Sequence, residues 1–267
     1  MIVDFHSHTC ESDGTLVPQA LADFMAERKV EVYSISDHDS LAAYGKFDPG
    51  AGARVVTGIE INTTWQDNEV HVLGYRLPLD DAAFNDLVAR NRDARRIRIG
   101  QVVDKLRATG YGITMADVER ECANDAALGR PHVAKALIRL GAFSDVDAVF
   151  RTLLTRGKPA YVPSIHISPA QAIDAIHAAG GVAVLAHPGR LRTPLLIDEL
   201  AQQLDGLEVF YPRHDADDIA RFRALAATYG LAMTAGADFH DIRYNARGVG
   251  MEVEPEDVRA FLDLIGA

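Results

Sequence analysis

Hydrophobic residues in the segment up to Tyr75 alternate between short β-rich runs and stretches with helical spacing. The predicted strands are Ile2 to Phe5, Val30 to Ser36, Arg54 to Thr57 with its continuation Gly58-Ile59-Glu60, and Glu69 to Tyr75. Between the first two strands, Leu21, Phe24 and Met25 recur at the spacing of one helix face in the segment Pro18 to Arg28. This succession of strands and helices predicts βα units.

The strand pattern stops near Asp80, and helical spacing then continues to Leu154, including the Arg-rich segment Arg90 to Arg107. A return rich in proline follows at Gly157 to Pro163, after which strands and helices alternate again. These later elements are a helix from Ser168-Pro169 to Gly180-Gly181, strands at Val182 to Ala186, Gly206 to Phe210 and Leu231 to Thr234, and helices at Asp215 to Tyr229 and Glu256 to Ile265. The pattern predicts an α/β barrel split into 1–78 and 157–267, with a helical insertion subdomain at 79–156.

Composition and charge narrow the class of protein. The chain has 267 residues, of which 48% are hydrophobic and 24% charged, as in soluble globular proteins. Its net charge of −11 argues against a protein that coats duplex DNA or an anionic membrane. Because the sequence shows neither an apolar span of about 18 residues nor a leader, we expect a cytoplasmic protein. Its only cysteines, Cys10 and Cys122, exclude a disulfide framework.

Nearly every predicted strand ends in a side chain that can bind a metal ion. These side chains are His6, His8 and Asp13 after the first strand, Asp37, His38 and Asp39 after the second, Glu60 after the third, His187 after Val182 to Ala186, and Asp238 and His240 after Leu231 to Thr234. His71 lies within its strand. On an extended segment His6 and His8 point to the same side and can bind one ion together. The carboxyl ends of the strands of a parallel barrel open on one face, so we expect a single metal centre.

Six motifs follow one another along the chain: His6-Ser7-His8, Ser12-Asp13-Gly14, Ser36-Asp37-His38-Asp39, Gly58-Ile59-Glu60, Ala186-His187-Pro188-Gly189-Arg190 and Ala237-Asp238-Phe239-His240. In order and spacing they resemble the motifs of the PHP (polymerase and histidinol phosphatase) family, within the amidohydrolase superfamily, over essentially the whole chain. The resemblance implies a distorted (β/α)7 TIM-like barrel that holds two or three divalent ions. The segment Ser40 to Arg54 is shorter than the helix usual there, so we expect that barrel helix to be vestigial.

The resemblance also implies a ligand set for each ion. The first ion would be bound by His6, His8, Glu60 and Asp238, the second by Glu60, His71 and His187, and the third by Asp13, His38 and His240. Glu60 would bridge the first two ions, and Glu60, Asp238 and His240 are the expected catalytic residues. Imidazole and carboxylate donors suit Mn²⁺, our first expectation, and also Fe²⁺ or Zn²⁺. Clustered ions lower the pKa of a bridging water, which would supply hydroxide to attack a phosphate ester.

A second set of residues is basic and predicts a phosphate clamp. Gly129-Arg130-Pro131-His132 begins a predicted helix, where free N–H groups and the helix dipole favour an anion. Lys158 lies in the return, Arg190 follows His187 by three positions, and His214 follows Tyr211-Pro212-Arg213. The residues expected to bind the phosphate are Arg130, His132, Lys158, Arg190 and His214.

These basic segments are similar to those of a PHP subgroup that processes nucleotides. The similarity implies removal of the 3′-phosphate from nucleoside 3′,5′-bisphosphates, such as adenosine 3′,5′-bisphosphate to AMP, or 5′-to-3′ trimming of short RNA. Two alternatives share the metal chemistry: a cyclic phosphodiesterase acting on a ribose 1,2-cyclic phosphate, and a histidinol phosphatase. The alternative from a different class is a non-catalytic PHP binding module, and the complete set of metal ligands counts against it.

Overall fold

The computed structural model describes the chain except residues 51, 67, 123–126, 165, 192, 194 and 244. Its strands are β1 (Ile2–Asp4), β2 (Val32–Tyr33), β3 (Arg54–Val55), β4 (Gly58–Trp65), β5 (Asn68–Tyr75), β6 (Val182–Leu185), β7 (Gly206–Phe210), β8 (Ala232–Ala235) and β9 (Met251–Glu252). Its helices are α1 (Pro18–Glu27), α2 (Ala82–Ala108), α3 (Met115–Glu119), α4 (Arg130–Arg139), α5 (Val146–Val149), α6 (Pro169–Ala178), α7 (Leu195–Leu200), α8 (Ala216–Tyr229) and α9 (Pro255–Ile265). A π-helical turn at Phe150–Leu154 follows α5, and a 3₁₀ turn at Pro188–Arg190 follows β6.

The strands of the described residues form two sheets. One sheet has the order β3-β2-β1-β9, and the other has the order β4-β5-β6-β7-β8. Isolated parallel bridges join Ser7 to Phe239 and His38 to Glu60, so the two sheets approach each other where β1, β2 and β8 end. The mixed α/β fold is therefore confirmed, whereas the described strands do not pair into one closed barrel sheet.

The direction of β5 departs from the all-parallel arrangement expected from the sequence. This strand is antiparallel to both β4 and β6, whereas β6, β7 and β8 run parallel to one another. Only two residues separate Trp65 from Asn68, and a connection of that length permits a hairpin but not the crossover of a parallel pair. His71 therefore lies in the middle of a strand, whereas most of the other predicted metal ligands follow the end of one.

Local signals explain where the helices begin and end. The Ser168 hydroxyl accepts a hydrogen bond from the Gln171 N–H, and the Gln171 side chain accepts one from the Ser168 N–H, so α6 begins in a capping box. It ends just before Gly180, whose φ of +75° closes the helix. Between β2 and β3 the described residues form turns and no helix, as expected from the short segment Ser40 to Arg54.

Separate hydrophobic cores support the sheets and the insertion. In the core against the five-stranded sheet, the rings of Phe5, Tyr75 and Phe261 pack edge to face, with centroids 4.8 to 6.4 Å apart. The insertion helices bury Leu137 and Leu154 in a second core. Phe84 and Val88 of α2 belong instead to the first core, so this helix packs against the strands partly through apolar side chains.

A polar face of α2 contacts the loop after β2. Asp39, in the loop after β2, accepts hydrogen bonds from Asn91 Nδ2 at 2.7 Å and from Arg95 Nη1 at 3.1 Å, and all three residues are buried. Buried polar groups of this kind are stable only when they are paired, so the network fixes α2 against the loop. No helix in the described part of the chain, α2 included, is long and apolar enough to cross a membrane.

Candidate metal centre and phosphate pocket

The donor side chains predicted at the strands converge, and we call the nine predicted ligands the metal centre. Within the described residues their donor atoms form three overlapping groups, each within 4.8 Å. The groups are His6, His8, Glu60 and Asp238; His8, Asp13, His38 and His240; and His38, Glu60 and His71. The first is the ligand set predicted for the first ion, and the second adds His8 to the set predicted for the third. His187 is outside the third group, but its Nε2 lies 3.1 Å from Glu60 Oε1.

Glu60 lies at the middle of the metal centre, and its side chain is almost completely buried. Its Oε2 is 3.0 to 3.3 Å from His6 Nε2, His8 Nε2 and His38 Nδ1, and its Oε1 is 2.7 Å from His71 Nδ1. Burial opposes ionisation of this carboxyl, but the surrounding histidines, His71 first, hold its pKa well below its usual range. A carboxylate that meets imidazoles on both oxygens is placed to bridge two cations.

The backbone bends sharply where several strands pass into the metal centre. Asp39, His187 and Asp238 have φ of +47°, +29° and +49°, a region that side-chain-bearing residues rarely adopt. Hydrogen bonds hold these conformations: the Asp238 N–H donates to the His6 carbonyl at 2.7 Å, for example. Such strain persists only where the surrounding structure enforces it, and it is typical of functional sites.

The donors of the metal centre fit divalent cations. Several of their buried atoms make no hydrogen bond: His6 Nε2, both ring nitrogens of His8, Asp13 Oδ1, Glu60 Oε2 and His187 Nδ1. Buried polar atoms nearly always have hydrogen-bond partners, so a group of donor atoms that face one another without such partners fits the binding of a cation. Despite burial, neighbouring histidines hold the pKa of Asp13 and of Asp238 well below the usual range, which keeps both ionised.

A cavity of about 180 Å³ opens over the metal centre, and its wall is rich in arginine. The arginines that line it are Arg95, Arg98, Arg130 and Arg190. Arg130 pairs with Glu69 and lies 5.7 Å from the Phe150 ring centroid, and Arg190 Nη1 lies 3.2 Å from Asp238 Oδ2. Guanidinium groups, which can bind a phosphorylated ligand, therefore lie beside the carboxylate donors.

Comparison with known proteins adds to this geometry. No model of a protein family matches the chain. The chain is 33% identical over 257 residues to the 3′,5′-nucleoside bisphosphate phosphatase of Chromobacterium violaceum, covering 93% of this chain and 90% of that protein. It is 32% identical over 251 residues to the 5′-3′ exoribonuclease Rnm of Escherichia coli, covering 90% and 85%. It is 30% identical over 250 residues to the phosphoribosyl 1,2-cyclic phosphate 1,2-diphosphodiesterase of Eggerthella lenta, covering 90% and 94%.

Solved structures agree with these relatives. A structure of an amidohydrolase from Chromobacterium violaceum with bound sulfate has a TM-score of 0.89 at 30% identity, and covers 99% of this chain and 96% of that one. A Bifidobacterium adolescentis structure described as a metal-dependent phosphoesterase has a TM-score of 0.86 at 28% identity, and covers 98% and 95%. The chain belongs to the PHP family. It is a metal-dependent phosphoesterase, which confirms the prediction from its motifs.

Of the five phosphate ligands predicted for this PHP enzyme, the structure brings Arg130 and Arg190 to the cavity wall. Lys158 is exposed on the return between the insertion and the strands, outside the described walls of this cavity and its neighbours. Arg156, two positions earlier, lines the adjoining cavity together with Arg130 and Tyr161. Proline in the sequence predicted the sharp return but not which basic side chain would face inward.

The two predicted phosphate-binding histidines hold backbone turns of this PHP enzyme instead. His132 Nδ1 accepts a hydrogen bond from the Gly129 N–H at 3.0 Å, and burial lowers its pKa to about 4, so its imidazole is neutral. The ring nitrogens of His214 lie 2.9 Å from the Val209 carbonyl oxygen and 3.2 Å from the Gly189 nitrogen. Because its two ring nitrogens have backbone partners, His214 positions the turn that carries Arg190.

Sequence reasoning missed Glu208, a buried residue of the PHP site that contacts His6 and His187. Asp37, a candidate donor in the sequence, accepts hydrogen bonds from the N–H and hydroxyl of Thr9 at 2.7 and 2.6 Å. Tyr211 is also buried, and its hydroxyl lies 3.0 Å from Asp238 Oδ2. The available signal for Glu208 was a lone charge in the apolar run Gly206–Phe210, which a buried strand tolerates only if the charge is paired.

Proposed function

We propose that this PHP enzyme hydrolyses the 3′-phosphate ester of nucleoside 3′,5′-bisphosphates and converts adenosine 3′,5′-bisphosphate to AMP and phosphate. The observation that carries the proposal is the position of Arg130 and Arg190 on the wall of the cavity over Glu60 and Asp238. A guanidinium binds phosphate through parallel hydrogen bonds, so this wall offers a site for a phosphate that does not react. Similarity to the Chromobacterium violaceum phosphatase supports the same substrate.

The proposed cofactors are two or three divalent cations, with Mn²⁺ favoured over Fe²⁺ or Zn²⁺. When bound, such cations polarise the phosphoryl group and lower the pKa of a bound water. The proposed ligands are His6, His8, Asp13, His38, Glu60, His71, His187, Asp238 and His240. Glu60, Asp238 and His240 are the proposed catalytic residues. Glu60 joins the donor groups, and Asp238 and His240 both line the cavity and can meet the reacting phosphate.

The two arginines come with carboxylate partners that orient them. Glu69 pairs with both Arg130 and Arg98, and despite burial these arginines, Arg130 first, hold the pKa of Glu69 well below its usual range. Glu69 thus stays ionised and holds the Arg130 guanidinium at the cavity wall. Binding of the 5′-phosphate by Arg130 and Arg190 then places the 3′-phosphate at the metal centre, because remote binding energy can position a reacting ester.

A further cavity of about 290 Å³, different from the one that Arg156 lines, favours trimming of short RNA as a second candidate function. It adjoins the metal centre on the side of Asp238 and His240, and Lys135, Tyr211 and Arg213 also line it. In both reactions water oxygen joins phosphorus, the P–O3′ bond breaks and O3′ takes a proton. In RNA, however, the next nucleoside stays attached to phosphorus and needs space, which this cavity provides. Similarity to the exoribonuclease Rnm supports this candidate.

The remaining alternative functions leave part of the cavity or of the donor set without a role. Histidinol phosphate has one phosphate and leaves an arginine-lined wall without a ligand, and a non-catalytic PHP module has no need of the orphan donors. A ribose 1,2-cyclic phosphate that carries a further phosphate would use both regions, and the Eggerthella lenta relative supports that alternative. The choice between bisphosphate and cyclic ester therefore depends on the substrate test below.

We also propose a more specific architecture for this fold. Strands β1, β2, β4, β5, β6, β7 and β8 are proposed to form the distorted (β/α)7 barrel, split between residues 1–78 and 157–267. The bridges Ser7–Phe239 and His38–Glu60 support it, because they link the segments after β1 and β2 to the two edges of the five-stranded sheet, near β8 and in β4. Residues 79–156 are the proposed insertion subdomain, supported by the core of its helices.

One experiment compares four substrates with the Mn²⁺-reconstituted protein. Adenosine 3′,5′-bisphosphate, a 5′-phosphorylated RNA dinucleotide, a ribose 1,2-cyclic phosphate and histidinol phosphate are offered side by side, and products are identified by mass. We expect the bisphosphate to be converted fastest and to yield AMP. Preference for the dinucleotide would establish RNA trimming, preference for the cyclic ester would replace the nucleotide substrate, and no turnover of any of them would refute the proposed function. Duplex DNA is the control that we expect not to bind.

A further inference from the structure

Glu208 of β7 is a buried carboxylate that lies behind the metal centre, away from the cavity that receives substrate. Its side chain is 1% exposed and is not among the residues that line the described cavities. One oxygen, Oε1, lies 3.0 Å from His6 Nδ1, and the other, Oε2, accepts a hydrogen bond from the His187 N–H at 2.7 Å. Glu208 therefore contacts two donors of the metal centre that come from different strands.

The contact with His6 determines which ring nitrogen of His6 is available to bind a cation. A carboxylate accepts hydrogen bonds only, so Glu208 keeps a proton on His6 Nδ1. His6 Nε2 then faces Glu60 Oε2 at 3.3 Å and Asp238 Oδ1 at 3.5 Å, with no hydrogen bond of its own. Carboxylates that hold the far nitrogen of a ligand histidine in this way fix its orientation and raise its basicity.

The contact with His187 acts on the backbone. His187 has a φ of +29°, and its N–H bond to Glu208 is one of two anchors of the turn that it begins. The other anchor is the bond between the Gly189 N–H and His214 Nε2, at 3.2 Å. Held at both ends, the strained turn keeps the His187 ring beside Glu60, with His187 Nε2 3.1 Å from Glu60 Oε1.

The end of β8 packs closely against the Glu208 carboxylate. A methyl group added at Gly236 would lie 2.6 Å from Glu208 Oε1 and 2.2 Å from the His6 side chain. Only a glycine lets the backbone pass so close. The carboxylate is thus confined between β8 and the two histidines that it contacts.

We propose that Glu208 is a positioning residue that orients His6 and His187 for cation binding from behind the metal centre. The inference rests on the proposed metal role of these two histidines. Because Glu208 does not line the substrate cavity, its loss changes affinity for the cation and not affinity for the substrate. Outer contacts of this kind typically contribute about ten- to a hundredfold to metal affinity.

The test measures binding of Mn²⁺ alone to chelator-treated protein, by calorimetry for affinity and by elemental analysis for stoichiometry. Glu208→Gln keeps the shape of the side chain and removes its charge. The matched control is Thr234→Val, because Thr234 is equally buried and pairs with Glu208 across β7 and β8. Circular dichroism and thermal melting of the metal-free proteins establish that each variant folds. Glu208→Ala removes both contacts, and if it fails to fold, Glu208→Gln still decides the question.

We expect Glu208→Gln to weaken at least one Mn²⁺ site about ten- to a hundredfold while Thr234→Val stays within about twofold of wild type. Activity of Glu208→Gln should recover as Mn²⁺ is raised, with KM for the bisphosphate unchanged. Wild-type affinity in Glu208→Gln, or an equal loss in Thr234→Val, would overturn the positioning role. If the wild-type protein itself binds no Mn²⁺ and releases no phosphate from any substrate, the proposed function fails, and this inference fails with it.

Discussion

The donors of the metal centre and the arginines of the cavity wall lie side by side but are supported in different ways. His6, His8 and Glu60 are completely buried at strands whose backbones are hydrogen-bonded to neighbours. Arg130 instead begins a helix of the insertion, and the Arg190 side chain is 49% exposed at a short turn. The contrast teaches that this enzyme holds its proposed metal ligands on rigid strands and its proposed phosphate-binding groups on helix starts and turns.

The two regions are nevertheless connected by a buried polar network. Asp39 accepts hydrogen bonds from Arg95 of α2 at 3.1 Å and from Asn62 Nδ2 of β4 at 3.0 Å, and Asn62 Nδ2 also lies 3.1 Å from His38 Nδ1. Through these contacts the long helix of the insertion is tied to a residue of the metal centre. The insertion therefore carries Arg130 in a defined position relative to the donors, although it has a core of its own.

The largest expected effect tests the rigid side of the comparison. Glu60→Gln removes the charge shared by the donor groups, so kcat should fall by about a hundred- to a thousandfold, as expected when a central electrostatic contact is lost. Steady-state kinetics with Mn²⁺ measure it, circular dichroism verifies the fold, and Glu199→Gln on the exposed face of α7 is the control. A near-normal rate for Glu60→Gln would refute its central position.

The next effect tests the arginine wall. Arg130→Ala and Arg190→Ala should each raise KM for adenosine 3′,5′-bisphosphate about ten- to a hundredfold, because each removes charged hydrogen bonds to a phosphate. KM for an aryl monophosphate should change by less than about threefold. Arg139→Ala, at the exposed end of the same helix as Arg130, is the matched control. Equal increases for both substrates would exclude a separate site for the second phosphate.

A pH-dependent effect on stability separates His132 from the phosphate site. Burial lowers the pKa of His132 to about 4, so between pH 6.5 and 4 the unfolded chain binds a proton that the folded chain does not. The free energy of unfolding should fall as pH falls, and by pH 5 wild type should lose about 2 kcal/mol more than His132→Asn.

Urea denaturation of metal-free protein at pH 7 and pH 5 measures this difference. Gln202→Asn in the turn after α7 is the control, because it changes an exposed side chain and no titratable group. KM for the bisphosphate should stay the same in His132→Asn. A large rise in KM would instead indicate that His132 binds the phosphate of the substrate.

The smallest effect distinguishes two basic residues of the return. Lys158→Ala should change KM for the bisphosphate by less than about twofold, because its side chain lies outside the cavities, whereas Arg156→Ala should raise KM several-fold. The two variants remove the same charge only two positions apart, so overall charge cannot explain a difference. If Lys158→Ala has the larger effect, the return has another conformation when substrate is bound.

Prediction from sequence brought residues together most closely where chemistry is linked to backbone periodicity. His6 and His8 were candidate donors because they lie two positions apart on an extended segment, and Glu60 and Asp238 because they follow apolar runs that predict strands, and the structure places these four side chains side by side. The basic residues are more scattered. Lys158 and His214 look alike in sequence as cationic candidates, yet one is exposed and the other is held between backbone groups.

The sequence by itself determined the order of the main elements and the PHP family, and it predicted the helical insertion and the nine donors, because local periodicity and motif spacing encode such features. Only the tertiary structure decided that β5 runs antiparallel, that His132 and His214 stabilise turns, and that Glu208 contacts His6 and His187. The physical reason is the separation along the chain of the residues that contact each other. A motif reports on neighbours in the chain, whereas the partner of a buried charge can lie 202 positions away, as Glu208 does from His6.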